Sequence, residues 1–165
     1  MIEPLPSTSA SHDPVPHDPA AAIRALEAEL LAMPPVAAMD LRIVDAGDGR
    51  LRLRAPLAAN VNDKGCAFGG SLTSLMTLAG WGLIVLRLAE AGLQAEVYVA
   101  DSEIRYRAPL YEDLEACAEL AEGESWDAFL DTLRSRGRAR LAVRATVALA
   151  EGGLATESRS RYVAM

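Results

Sequence analysis

Hydrophobic and polar positions change their period several times along this chain, and each change marks an element. Residues 1–18 hold four of the nine prolines and almost no large apolar side chain. Such a segment buries too little surface to offset the entropy of ordering it, so a disordered tail is expected. Asp18 then suits a helix N-cap and Pro19 the first helical position. Ile23, Leu26, Leu30 and Met33 follow at helical spacing until Pro34-Pro35 stops the run. Met39 to Val44 reads as a short strand and Asp45-Ala46-Gly47-Asp48-Gly49 as a turn. Arg50 to Arg54 alternates with period two, with Leu51 and Leu53 on one face and three arginines on the other, which predicts a hairpin.

Residues 57–71 form a loop rich in Asn, Asp and Gly. Ser71 to about Leu93 predicts a long helix, apolar on nearly every side and therefore surrounded by protein. Gly80 and Gly82 inside it point to close packing against a sheet or a second chain, and Gly92 to its C-terminal stop. Strands follow: Glu96 to Arg107, ended by Pro109, and Asp113 to Glu122. After them come Arg138 to Ala150 and, beyond a turn at Gly152-Gly153, Leu154 to Val163. Ser125 to Ser135 fits either helix or strand. Arg138, Arg140 and Arg144 are expected to face Glu115 and Glu119 across strands. One buried helix beside a run of antiparallel strands is α+β. A curved antiparallel sheet wrapped around that helix, with an extra N-terminal helix, is the hotdog fold. It accounts for residues 19–165 as one domain.

Composition narrows the chemistry. The chain has 165 residues, a net charge of -7 and a pI near 4.8. It has no general attraction for nucleic acid or anionic lipid. Its two histidines, His12 and His17, lie in the tail. A Ser-His-Asp or Cys-His arrangement inside the domain is thereby excluded. Cys66 and Cys117 have neither metal-type spacing nor histidine partners, so no metal or resident cofactor is expected. They read as reduced thiols of a cytoplasmic protein. The N-terminus lacks the basic and apolar regions of a signal peptide. The apolar segment Leu72 to Leu86, followed by Arg87, is short for a bilayer span.

The informative stretch is Asn60-Val61-Asn62-Asp63-Lys64-Gly65-Cys66-Ala67-Phe68-Gly69-Gly70-Ser71, which leads straight into the buried helix. Glycines admit a ligand close to the backbone, and first-turn N–H groups at the positive end of a helix receive an anion or a developing oxyanion. The same residues also make a tight turn and a cap, with Ser71 as the N-cap. Pattern alone leaves both readings open.

This stretch, together with Leu78 to Leu83 and Ala100 to Tyr106, resembles the thioesterase family named for the YiiD C-terminal domain, over roughly residues 20–165. The resemblance implies an acyl thioester carried by coenzyme A or acyl-carrier protein. It also implies a homodimer, or a homotetramer built as a dimer of dimers, with the site at a subunit interface. Comparison with phenylacetyl-CoA-type hotdog thioesterases places their Asn on Asn62, their Gly pair on Gly69 and Gly70, their His on Phe68 and their catalytic acid on Thr77. Asn62 would orient water or thioester, the Gly69 and Gly70 amides would receive the carbonyl oxygen, and Thr77 would hold a water. Asn60, Phe68 and Ser71 would line the substrate. The usual base is missing, and two carboxylates are candidates to replace it. Asp63 ranks first, against its reading as an Asx-turn or a Lys64 ion pair, and Asp101 second, against its reading as a pairing carboxylate.

Arg105 and Arg107 are either coenzyme A phosphate contacts or solvated side chains, and Cys66 a loop filler. Tyr98, Tyr106 and Trp81 belong to core or pocket wall. The leading expectation is thioester hydrolysis by carboxylate-activated water. A non-catalytic acyl-thioester binder, favoured by Thr77, comes second. A dehydratase or hydratase comes last, for want of a histidine.

Overall fold

The computed structural model describes residues 18–165. Residues 1–17 of the expected tail, His12 and His17 included, lie outside the described residues. Helix α1, Pro19–Ala32, starts where expected, with the Asp18 carboxylate accepting the Ala20 N–H at 3.0 Å. Leu26 and Leu30 are its buried face. The Pro34-Pro35 pair ends α1 but also opens a single turn, α2, Pro34–Ala37, because proline suits a first helical position.

Strand β1, Arg42–Gly47, starts and ends later than its apolar run suggests. The hairpin turn is the Asp48-Gly49 pair alone, both left-handed (φ 50° and 71°), as a two-residue turn matched to strand twist requires. Strand β2, Arg50–Ala55, buries Leu51, Leu53 and Ala55.

Helix α3 runs Gly69–Glu90, starting two residues before the expected Ser71 and ending three before Leu93. It is long and apolar enough to cross a membrane by length and composition. Here ten of its residues are buried, packed against the sheet and α1. Gly80 and Gly82 are the close approaches. A Cβ on Gly80 would lie 2.9 Å from Cζ of Tyr162, and one on Gly82 2.8 Å from Cδ2 of Leu51. The neighbour that demands both glycines is therefore the sheet.

Strands β3 (Val97–Tyr106), β4 (Leu114–Leu120), β5 (Ala139–Ala148) and β6 (Leu154–Ala164) complete a six-stranded sheet ordered β1-β2-β4-β5-β6-β3, antiparallel throughout. The ambiguous segment is helix α4, Trp126–Arg136. Ser125 caps it and Gly137 ends it at φ 67°. Leu114, Ala116 and Ala118 of β4 and Leu141, Val143, Ala145 and Val147 of β5 face α3. Arg144 meets Glu119 as expected, at 3.5 Å, whereas Glu115 pairs with Arg52 of β2. This single antiparallel sheet around a central helix is the hotdog fold. Its strand β3 is an edge.

Candidate active site at the start of the central helix

The loop before α3 is held by its own amides. The Asn62 side-chain oxygen accepts the N–H groups of Lys64 (2.8 Å) and Cys66 (3.2 Å), while its NH2 donates to the Cys66 sulfur (3.2 Å). The reversal needs a left-handed residue, Gly65 at φ 80°. Asn60 is 3% exposed. Its NH2 donates to the carbonyls of Met39 and Pro56, both at 2.9 Å, and its own carbonyl accepts the Phe68 N–H at 2.7 Å. Its side-chain oxygen is buried without a partner among the described residues. These bonds deliver Phe68, in extended backbone, as the residue capping α3, with no side chain capping the helix. Ser71 is thus the third helical residue rather than the cap, because Asn60 anchors the chain at Phe68.

The N–H groups of Gly69, Gly70 and Ser71 consequently meet no acceptor among the described residues. Aromatic rings flank them. A Cβ on Gly70 would come within 2.8 Å of Cζ of Phe68, and one on Gly69 within 3.3 Å of Cε1 of Tyr106. Phe68 is 54% exposed and Tyr106 58%. The Tyr106 hydroxyl donates to the Gly69 carbonyl (3.1 Å) and shares a 2.6 Å hydrogen bond with the Thr73 hydroxyl. A cleft of about 340 Å³ lies alongside, lined by Ala67, Leu72, Tyr106, Arg107, Pro109 and Leu110. Gly69, Thr73 and Thr77 lie at i, i+4 and i+8, on one helix face. The Thr77 carbonyl accepts the Tyr162 hydroxyl at 2.8 Å. Burial pushes the Tyr162 phenol well above its ordinary range.

The two candidate carboxylates stand elsewhere. The Asp63 side chain is 79% exposed and pairs with Lys64 at 2.9 Å, in the loop but turned to solvent. Asp101 is paired with Arg161 across β3 and β6. Its neighbours Ser102 and Ser160, joined at 2.8 Å, lie on the opposite face of the sheet, the one that carries Tyr162 toward α3. Asp101 therefore belongs to the outer face, and within one protomer the fold does not bring it to the helix start.

Arg105 pairs with Glu103 and Arg107 with Glu157. Among the described residues no three His, Cys, Asp or Glu side chains are grouped to hold a metal. Sequence reasoning gave Tyr106 no more than a place in core or wall and passed over Thr73. The available signal was the pair of threonines at Thr73 and Thr77, four residues apart on a largely apolar helix.

The hotdog sheet around a central helix places the chain in a class, the thioesterase-superfamily hotdog proteins, to which solved structures of the same fold belong. A protein of unknown function from Chlorobaculum tepidum TLS superposes with a TM-score of 0.83 at 26% identity, covering 90% of this chain and 97% of its own. A protein from Shewanella oneidensis described as a "putative thioesterase" superposes with a TM-score of 0.79 at 26% identity, covering 88% and 99%. A thioesterase from Haemophilus influenzae shares the fold, with a TM-score of 0.63 at 15% identity over 87% and 90%. Within this class the chain belongs to the family described as "Putative thioesterase (yiiD_Cterm)", whose model matches residues 23–165.

Proposed function

We propose that this protein hydrolyses acyl thioesters carried by coenzyme A or acyl-carrier protein. The observation behind this reading is the trio of unpaired N–H groups at Gly69, Gly70 and Ser71, framed by the Phe68 and Tyr106 rings. A thioester carbonyl seated there gains donors preorganised for the oxyanion, each worth about 10²–10³ in rate in comparable sites. Thr77 lies about 12 Å along α3 from Gly69, so a water it holds attacks a carbonyl bound at the helix start of a second copy, and Asn62 acts through the loop it braces.

Asp63 is the first candidate for general base. Its ion pair with Lys64 is exposed and worth about 1 kcal/mol at most, so releasing the carboxylate costs little. Asp101 ranks behind it, being on the outer face. The unpaired β3 edge is ten residues long, with Tyr98 and Val99 about half exposed, and a second copy covering it supports a homodimer, or a dimer of dimers. Free Cys66 and Cys117 suit the cytoplasm. Neither metal nor resident cofactor enters the mechanism.

The test is thiol release from short, medium and long acyl-CoA and acyl-carrier-protein substrates by the native protein, Asp63→Ala and Thr77→Ala. Turnover above background that is lost in Asp63→Ala supports the mechanism as written. Turnover surviving that change moves the base to Asp101 or to a water on Thr77. Saturable binding without turnover on any substrate replaces the hydrolase with the acyl-thioester binder. That second reading is favoured by one observation: no carboxylate hydrogen-bonds to residues 68–73 among the described residues. Light scattering that found only a 17.5 kDa monomer would remove the interface site.

A further inference from the structure

The chain carries sixteen basic side chains. Thirteen of them, twelve arginines and Lys64, sit within 4.0 Å of a carboxylate. The remaining three are Arg136, Arg138 and Arg140, which have no carboxylate partner among the described residues. They are not scattered. They follow one another at every second position where α4 passes through Gly137 into β5, and all three are exposed. Arg138 and Arg140 alternate with buried Ala139, so they project from one side of the chain about 7 Å apart. Arg136 closes α4, where the helix dipole accounts for one cation, but not for the next two. On a protein of net charge -7, this corner is a local cluster of three cations without a carboxylate beside them among the described residues.

The corner lies far from the helix start. Ala139 pairs with Ala164, which pairs with Val97 at the beginning of β3, whereas the Gly69 end of α3 meets Tyr106 at the end of β3. Trp126, opening α4, packs against Arg87 in the last turn of α3. Between those two ends β3 runs from Val97 to Tyr106, a span of about 30 Å, so corner and site are separated by roughly that length. An extended pantetheine arm is shorter. Coenzyme A phosphates therefore cannot touch the corner while their thioester lies at Gly69 of the same protomer. A protein has the breadth to do so.

We infer that the Arg136-Arg138-Arg140 corner is the docking surface for an acidic protein partner, the carrier protein that bears the acyl thioester. This rests on the reading that the ligand is a carrier-borne acyl thioester, not on its hydrolysis. Elsewhere among the described residues each cation already has a carboxylate beside it, so an acidic carrier finds its uncompensated positive charge at this corner. The corner thus orients the encounter and raises its rate at low salt.

The experiment compares the native protein with Arg136→Glu/Arg138→Glu/Arg140→Glu and with a control reversal, Arg42→Glu, on the other edge of the sheet. A fluorescently labelled holo-acyl-carrier protein is titrated by anisotropy at low and at physiological salt. Thiol release is followed with acyl-carrier protein, acyl-CoA and acyl-pantetheine. The inference requires that carrier-protein binding weaken about 30-fold or more in the triple variant alone. It also requires kcat/KM for acyl-carrier protein to fall in proportion while acyl-pantetheine is hydrolysed within twofold of native. Native protein that does not bind the carrier, or a triple variant that binds it unchanged, overturns the inference. So does an equal fall on acyl-CoA, which would give the corner to the phosphates. If no substrate is turned over but binding is lost in the triple variant, the docking surface stands and the hydrolase reading fails.

Discussion

Replacing Gly80 with alanine tests how closely α3 is packed into the sheet. Alanine in a helix interior is better than glycine by about 1 kcal/mol, so propensity alone makes the variant more stable. The structure opposes this. The new Cβ would sit 2.9 Å from Cζ of Tyr162 and closer still to its hydroxyl oxygen. Tyr162 is 1% exposed, and its hydroxyl is committed to the Thr77 carbonyl at 2.8 Å. Displacing a locked ring adds overpacking of about 1–3 kcal/mol. Losing the hydrogen bond of a buried hydroxyl adds about 1–3 kcal/mol more. The net loss is about 3 kcal/mol, which lowers Tm by roughly 6–12 °C in a domain of this size. Thermal and urea unfolding of Gly80→Ala, Tyr162→Phe and the double variant close the cycle. Alanine should cost at least about 1 kcal/mol less once the hydroxyl is gone. Gly82→Ala, whose Cβ would meet a leucine methyl, should be milder than Gly80→Ala. A Gly80→Ala protein as stable as native would show that Tyr162 is free to yield, and the close approach would then not explain the glycine.

Other outcomes follow from single groups. Tyr162 has its phenol raised by burial, so the folded state keeps a proton that the unfolded chain releases above about pH 10. Its contribution is intact below that pH and is lost as pH rises toward the folded value. Tyr162→Phe should flatten the alkaline limb of stability against pH. The Thr156 hydroxyl is fully buried without a partner among the described residues, so Thr156→Val should be neutral or stabilising by about 1 kcal/mol in urea unfolding, and clear destabilisation would mean that an acceptor or a water serves it. Tyr106→Phe removes the contacts to Gly69 and Thr73 at the rim of the site. It should lower kcat/KM on any accepted thioester about 10-fold with little change in Tm, and an unchanged rate would reduce Tyr106 to a wall.

Strands β2, β4 and β5 were legible because each buries one apolar face, and alternation is a local signal. Their order in the sheet was not, since pairing β2 with β4 and β6 with β3 is decided by distant segments. Helix α4 carried its signal in the Ser125 cap, the Trp126, Phe129, Leu130 and Leu133 spacing and the Gly137 stop. That spacing was masked by exposed polar residues between. Asp101 shows how one residue defeats alternation. Val97 and Val99 face α3, and strict alternation would turn Asp101 inward with them. The sheet register slips between Val99 and Asp101, so Asp101 pairs with Arg161 outside and Ser102 with Ser160 inside. The loop from Asn60 to Ser71 was legible by composition as a candidate, which its pattern alone could not separate from a tight turn and cap. The helix start was misplaced by two residues, since the bond from Phe68 N–H to the Asn60 carbonyl is tertiary and outranks a serine's capping preference.

The same helix links core packing to the site. Loop bonds fix Phe68, just ahead of the N–H groups of Gly69 and Gly70, from one side, and Tyr106 ties Gly69 and Thr73 to the end of β3 from the other. Gly80 and Gly82 set how deeply α3 lies against β6 and β2. Gly80 is eleven residues from Gly69, about 16 Å along a rigid helix. A Cβ there that pushes α3 off the sheet must also shift or tilt the helix start relative to Tyr106. A misplacement near 1 Å at reacting groups costs about 10²-fold in rate. Gly80→Ala, assayed well below its Tm and shown folded by circular dichroism, should therefore lose most of its kcat/KM although its new Cβ meets Tyr162 and not Gly69, Gly70 or Tyr106. If stability falls and the rate does not, the helix start is positioned by the Asn60–Phe68 loop alone, and the depth of the helix in the sheet serves stability only.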